Sequence, residues 1–266
     1  MAKLAIASAD DAILDPYRSL KESNPTRDAD GFVAEGRRLF ARLLDAGWPL
    51  ESVLLSDRDL KGDVAQMLDR LSPDVPVYVL PHDEVRRLIG YKFHRGIMVR
   101  ANYRPAPTLD EVARSAARIV FAGALRDPSN LGSIARSAAA FGWSAIVVNA
   151  STPDAFSRRT LRTSMGAVLR MAIAEVEDDA VCLRRLRSEF GFAVYAAEAT
   201  ENATPFDQLP VAERLALVLG NEDEGVPSST LAECTAVAAI PMTNLVESLN
   251  VASASAILLQ RFGLVR

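Results

Sequence analysis

The sequence predicts an α/β protein in two parts, a parallel-sheet α/β domain on the C-terminal side and a smaller α/β domain before it. Three observations predict this. Five short apolar runs, 118–125, 145–150, 192–197, 215–220 and 237–242, alternate with helical segments near 131–141, 160–169, 180–189, 228–233 and 248–262. Continuously apolar strands alternating with helices belong to a parallel sheet covered on both faces. Arg104-Pro-Ala-Pro-Thr108 is a proline-marked stretch that suits a boundary. The first hundred residues carry a pattern of strands and helices of their own. The organisation expected is a first domain over 1–104, a linker over 105–115 and a second domain over 116–266.

Taken in order, residues 1–30 read as polar and irregular, with Pro16, Pro25 and several aspartates. From Gly31 to Gly47, the apolar positions Leu39, Phe40, Leu43 and Leu44 have helical spacing, and Gly47 and Pro49 stop the helix. Residues 52–56 read as a strand, 62–71 as a helix, 75–80 as a strand, 83–89 as a short helix and 96–103 as a strand. The alternating second half follows. Ligands of such sheets bind at the carboxyl ends of the strands, so the polar residues there are the candidates for chemistry.

Bulk properties narrow the classes. A chain of 266 residues, 49% hydrophobic and 24% charged, is an ordinary globular mixture for one large domain or two ordinary ones. Two cysteines far apart, Cys182 and Cys234, form neither a disulfide framework nor a zinc cluster, which fits a reducing compartment. No signal peptide and no stretch of the ~18 apolar residues that a membrane helix needs is visible, so a soluble cytoplasmic protein is expected. The net charge of −4 speaks mildly against nucleic acid as a partner, but its distribution speaks for it. Arg86, Arg87, Lys92, Arg95, Arg100 and Arg104 lie in an acid-free segment with Tyr91, Phe93, His94 and Tyr103 among them. A second acid-free segment holds Arg158, Arg159, Arg162 and Arg170. Such patches suit phosphate contact and base stacking, or simply a solvated face.

Three strand ends carry unusual polar residues. In LRDPSNLGSIARSAAAFG (125–142), Asp127-Pro128 forces an extended turn, Ser129 or Asn130 can cap the helix, and Arg136 sits within it. In LVLGNEDEGVP (217–227), a buried strand runs into Gly220, a cluster of acids and Gly225. That loop lacks the Lys-Ser/Thr of a phosphate cradle, and its acids suit a cationic ligand or a solvated turn. The third is IPMTNLVESLNVASAS (240–255), where Thr243, Asn244, Glu247, Ser248 and Asn250 gather before the last helix. There is no GxGxxG after a strand, no GxSxG elbow, and neither His82 nor His94 has a ligand partner at metal spacing, so no metal is expected.

The trio resembles the ordered motifs of the SpoU branch of the SPOUT methyltransferases. Asn130, Gly132, Arg136 and Phe141-Gly142 resemble the first motif, and Gly220, Glu222 and Gly225 the second. Ile240-Pro-Met242 with Glu247-Ser-Leu-Asn-Val251 resembles the third. The likeness covers roughly 116–266. Glu35-Gly36 and His94-Arg-Gly-Ile97 are similar to the small, ribosomal-protein-like RNA-binding domain of many members. Asn244 stands where relatives often have glycine; asparagine tolerates left-handed backbone better than most residues.

The resemblance implies a deep trefoil knot in the C-terminal domain, one of the exceptions to unknotted topology. It implies S-adenosylmethionine as cofactor, a homodimer formed through that domain, and methyl transfer to a ribose 2′-hydroxyl in structured RNA, rRNA ahead of tRNA. It assigns the catalytic site to Arg136, Asn130, Glu222, Ser248 and Asn250, and the cofactor to Thr200, Gly220, Ile240, Met242 and Leu249. Arg86, Arg87, Lys92, Arg95 and Arg162 are the RNA-binding candidates. Glu222 is expected to position Arg136 or to bond the nucleotide. Two alternatives stay open: a catalytically silent RNA-binding or assembly factor on the same scaffold, and a base methyltransferase.

Overall fold

A computed structural model describes residues 3–18, 20, 30–60, 62–91, 96–123, 125–200, 202–243 and 245–264. The strands are β1 (Lys3–Ala5), β2 (Gly31–Glu35), β3 (Leu50–Ser56), β4 (Val77–Leu80), β5 (Ile97–Asn102), β6 (Arg118–Ala122), β7 (Ala145–Asn149), β8 (Ala172–Val176), β9 (Ala193–Ala197), β10 (Thr204–Pro205), β11 (Leu215–Leu219) and β12 (Ala236–Ala239). The helices are α1 (Arg37–Asp45), α2 (Asp63–Leu68), α3 (His82–Ile89), α4 (Leu109–Ser115), α5 (Pro128–Ala140), α6 (Arg158–Thr163), α7 (Asp179–Ser188), α8 (Ser228–Leu231) and α9 (Val251–Phe262). Among the described residues no helix is long and apolar enough to cross a membrane. The chain forms two compact units, Met1–Pro105 with Phe156–Leu169, and Ala106–Ala155 with Arg170–Arg266.

The first unit is a mixed five-stranded sheet in the order β1-β4-β3-β5-β2. The helix expected from Gly31 onward is instead a strand followed by a shorter helix. Phe32, Val33 and Ala34 are buried, and β2 pairs antiparallel with β5. Gly36, at φ 103°, turns the chain into α1 in a backbone region closed to most side chains. The described residues before Asp30 are less irregular than expected: β1 pairs with β4, and a 3-10 turn over Ala12–Tyr17 buries Leu14 and Tyr17. The segment 156–169 belongs to this unit for a packing reason. Phe156 completes a ring cluster with Phe32, Trp48 and Tyr103, at centroid distances of 5.1 to 5.7 Å. The buried Trp48 indole donates to the Leu169 carbonyl at 2.9 Å.

The second unit is a fully parallel seven-stranded sheet in the order β10-β12-β9-β11-β6-β7-β8. Every residue of β6 and β11 is buried, which explains the unbroken apolar runs Ile119–Ala122 and Leu215–Leu219. β8 has no counterpart in the sequence reading. It is an edge strand, and AIAEV carries the exposed Glu175. Buried Arg118, at the start of β6, donates to the carbonyls of Phe262 (2.7 Å), Glu213 (2.6 Å) and Ala212 (2.8 Å). The Trp143 indole donates to the Leu259 carbonyl at 3.0 Å. The contacts fasten α9 to the sheet through Arg118 and to the turn after α5 through Trp143. Neighbours β6 and β11 lead in opposite directions, β6 through α5 to β7 and β11 through α8 to β12. That divergence is a topological switch point, where a crevice opens at the carboxyl ends of the strands.

Candidate active site

The site begins at that crevice. Asp127, not Ser129 or Asn130, caps α5: its carboxylate accepts the Ser129 N–H at 2.8 Å, and Pro128 takes the first helical turn, where a missing N–H costs nothing. With the cap supplied by Asp127, the Asn130 side chain reaches outward. Its amide donates to the Glu222 carboxylate at 2.7 Å and its carbonyl accepts from the Asn250 amide at 3.2 Å. Asn250 in turn caps α9, accepting the Ala252 N–H at 2.9 Å. A single chain of polar contacts, Asn250 to Asn130 to Glu222, therefore joins the three sequence motifs.

Glu222 is fixed from several sides. The backbone N–H of Arg126 donates to it at 3.0 Å and that of Asp127 at 3.4 Å. Burial pushes its carboxyl up, but the donors from Asn130 and from the backbone outweigh burial and hold it below the ordinary carboxylate range. The turn that carries it is closed by reciprocal backbone bonds between Asn221 and Gly225, at 2.9 and 3.0 Å. A Cβ on Gly220 would stand 2.3 Å from the Gly225 carbonyl carbon, so the strand end and the turn touch backbone to backbone. Asp223 and Glu224 pair with the Arg126 guanidinium at 2.8 and 3.4 Å, so the acid cluster has its cation within the chain.

Arg136 lies on α5 and is exposed, with no hydrogen-bond or ion-pair partner among the described residues. Of the two roles expected for Glu222, no direct contact with Arg136 is described; its contacts go to Asn130 and the 126–127 backbone. Ile240, Met242, Ser248 and Leu249 come together in the wall of one pocket, with Ala238 and Leu258 behind them. Gly220 is buried at the end of β11, and Thr200 is exposed just past the pocket wall, which ends at Ala199. Among the described residues Glu198 is the one charged group in that wall. Its carboxylate accepts the N–H of Val226 at 2.9 Å and of Ala199 at 3.2 Å. Sequence reasoning missed it. The available signal was an acid immediately after the buried run of β9.

The other candidates lie elsewhere. Arg87 is held by Asp10 and Glu84 at 2.9 and 2.8 Å, and Arg86 stands 4.0 Å from Asp83. Lys92 and Arg95 lie outside the described residues, as does Asn244. Arg162 shares a pocket of the first unit with Glu35, Leu39, Arg158 and Arg159. Burial pushes the Cys182 thiol up to about 12 and the Cys234 thiol up to about 11, so neither is a nucleophile at neutral pH.

The model of the family described as "SpoU rRNA Methylase family" matches residues 117–260, more than half of the chain. The chain belongs to the SpoU rRNA methylase family. An uncharacterized tRNA/rRNA methyltransferase of Mycobacterium bovis is 30% identical over 95% of this chain and 88% of its own. A 23S rRNA guanosine 2′-O-methyltransferase of Bacillus subtilis is 27% identical over 95% of this chain and 96% of its own. The structure of an AdoMet-bound rRNA methyltransferase from Sinorhizobium meliloti matches with a TM-score of 0.86 and 25% identity, over 98% of this chain and 97% of that one. With the family comes the enzyme class, an RNA 2′-O-methyltransferase.

Proposed function

We propose that this chain transfers a methyl group from S-adenosylmethionine to a ribose 2′-hydroxyl of ribosomal RNA, using the crevice at the ends of β6, β11 and β12. The observation that carries the proposal is the Asn250–Asn130–Glu222 chain, which brings three distant motifs to one place beside the pocket of Ile240, Met242 and Leu249. That pocket suits the cofactor: its wall is apolar apart from Ser248 and one carboxylate, fitting a ligand with an adenosyl group and cationic centres. S-adenosylmethionine supplies an activated methyl when bound, so the protein's task is to place an oxygen in line with it.

Arg136 has the roles of steadying negative charge on the ribose oxygen and of gripping a neighbouring phosphate. A guanidinium stays protonated in proteins and is a poor base, so the proton leaves to phosphate or water. Asn130 and Glu222 orient the loop against the ribose, and Ser248 and Asn250 face the same centre. Gly220 keeps the strand end close to its turn, and Thr200 approaches the cofactor from the loop after β9. The trefoil knot and the homodimer belong to the same reading. Support for a second copy comes from the 240–250 stretch, where Leu245 is 89% exposed and Val246 52%.

The test is Arg136→Ala, assayed for methyl transfer to ribosomal RNA from a strain lacking the gene and for cofactor binding by calorimetry. Loss of one charge-stabilising donor lowers turnover by about 10²–10³-fold, with cofactor affinity and melting temperature unchanged. Full activity in the variant would remove Arg136 from the mechanism. Mass spectrometry of the digested nucleosides reads the position, and a base-methylated product would overturn the ribose assignment.

A further inference from the structure

The acids around the crevice are unequally matched. Asp223 and Glu224 pair with the Arg126 guanidinium, and Glu222 takes the Asn130 amide. Glu198 differs. It follows β9 directly, is half-buried, and stands in the wall of the pocket that holds Ile240, Met242, Ser248 and Leu249. Its carboxylate oxygens accept backbone N–H groups, that of Val226 on Oε2 and that of Ala199 on Oε1. Among the described residues no arginine, lysine or histidine pairs with it.

The carboxylate is held in place from both sides. The Glu198 N–H donates to the Ala238 carbonyl at 3.4 Å, which ties the residue to β12. A Cβ on Gly225, whose φ is 70°, would stand 2.3 Å from the Glu198 Oε2, so a glycine is what lets the 221–225 turn close against it. A carboxylate has about four acceptor positions, and two remain open here. Covering such a group with a neutral ligand costs desolvation, whereas a cation on the ligand offsets that loss.

We infer that Glu198 is the counter-charge of the cofactor pocket, and that it makes the pocket favour the sulfonium methyl donor over the uncharged thioether left after the reaction. The inference rests on the pocket holding S-adenosylmethionine. Methyl transfer breaks a carbon–sulfur bond and forms a carbon–oxygen bond to the ribose. The sulfur keeps the electron pair and loses its charge, and the hydroxyl proton leaves to phosphate or water. A carboxylate that draws in the cation therefore holds the product less firmly, which favours replacement of used cofactor by fresh. Because the attraction weakens as the sulfur is discharged, it serves ligand choice and exchange rather than acceleration of the step.

The test is calorimetry on the full chain with S-adenosylmethionine and S-adenosylhomocysteine. The two ligands share the adenosine and the amino acid, and differ by the methyl and the charge on sulfur. Glu198→Gln lowers affinity for the methyl donor by about tenfold and leaves that for the product within about twofold, so the ratio of dissociation constants shifts by about fivefold or more. Glu198→Asp keeps the charge and holds the ratio near the wild-type value. A purely structural role, through the Val226 N–H, would weaken both ligands alike. Equal losses for the two ligands, or a ratio unmoved in Glu198→Gln, would overturn the inference and leave the cofactor assignment standing. If the wild type binds neither ligand, the functional reading falls and takes this inference with it.

Discussion

The two sides of the candidate active-site crevice are built on different terms. The side formed by β6, α5 and the 221–225 turn is held by glycine contact, an aspartate cap, reciprocal backbone bonds and five donors and ion pairs around Glu222 and Arg126. The side formed by 241–249 is exposed throughout its described residues, and no hydrogen bond joins those residues to the rest of the described chain. Its one anchor among the described residues is Asn250. The difference teaches that the first side is preorganised by the chain's own contacts, whereas the second has few such contacts among its described residues. Preorganised donors are the ones that stabilise developing charge without reorganisation. A yielding wall suits the entry and release of a ligand.

Substitutions separate the two sides. The largest effect is expected below the first side, at Arg118. Its guanidinium is bonded to carbonyl oxygens and no acid, and burial lowers its pKa. Arg118→Met leaves those carbonyls without donors and costs about 3–5 kcal/mol in urea unfolding. Next is Gly220→Ala. The added methyl would meet the Gly225 carbonyl carbon at 2.3 Å and its oxygen at 2.4 Å, so backbone must move. A cost of about 2–3 kcal/mol is expected, together with weaker cofactor binding by calorimetry. An unchanged melting temperature would mean that the turn yields as easily as the opposite wall.

Asn130→Ala is smaller in stability and larger in function. It removes the donor to Glu222 and the acceptor of Asn250 at one half-buried position. The expected loss is about 1 kcal/mol, while methyl transfer falls further because the link between the motifs is gone. A variant that lost stability and activity in proportion would point to a purely structural asparagine.

Much of this was legible in the sequence. The five apolar runs became β6, β7, β9, β11 and β12 within a few residues, because buried parallel strands need no alternation. The three motifs are joined by the contacts of Asn130 with Glu222 and Asn250. What stayed hidden depended on tertiary partners. Gly31–Glu35 lies in a window of helical spacing, yet pairing with β5 makes it a strand. The cap at Asp127 is one of three chemically equivalent choices in DPSN. Glu198 looked like any loop acid until Val226 supplied its N–H. The membership of Phe156 in an aromatic cluster with Phe32, Trp48 and Tyr103 could not be read from the local sequence around it.

The smallest effect on the isolated chain is expected on the second side, and it tests the comparison most directly. Leu245 is 89% exposed, so Leu245→Ser removes almost no buried surface from a single chain. Its unfolding free energy at high dilution should change by no more than about 0.5 kcal/mol. If a second copy covers this stretch, the substitution acts through association: the melting temperature of the wild type rises with protein concentration, and that of the variant rises less. Light scattering across the same concentrations reads the assembly itself. A loss at high dilution as large as that of Asn130→Ala would place Leu245 in packing within its own chain. The two sides of the crevice would then be equally preformed, and the contrast between them would fail.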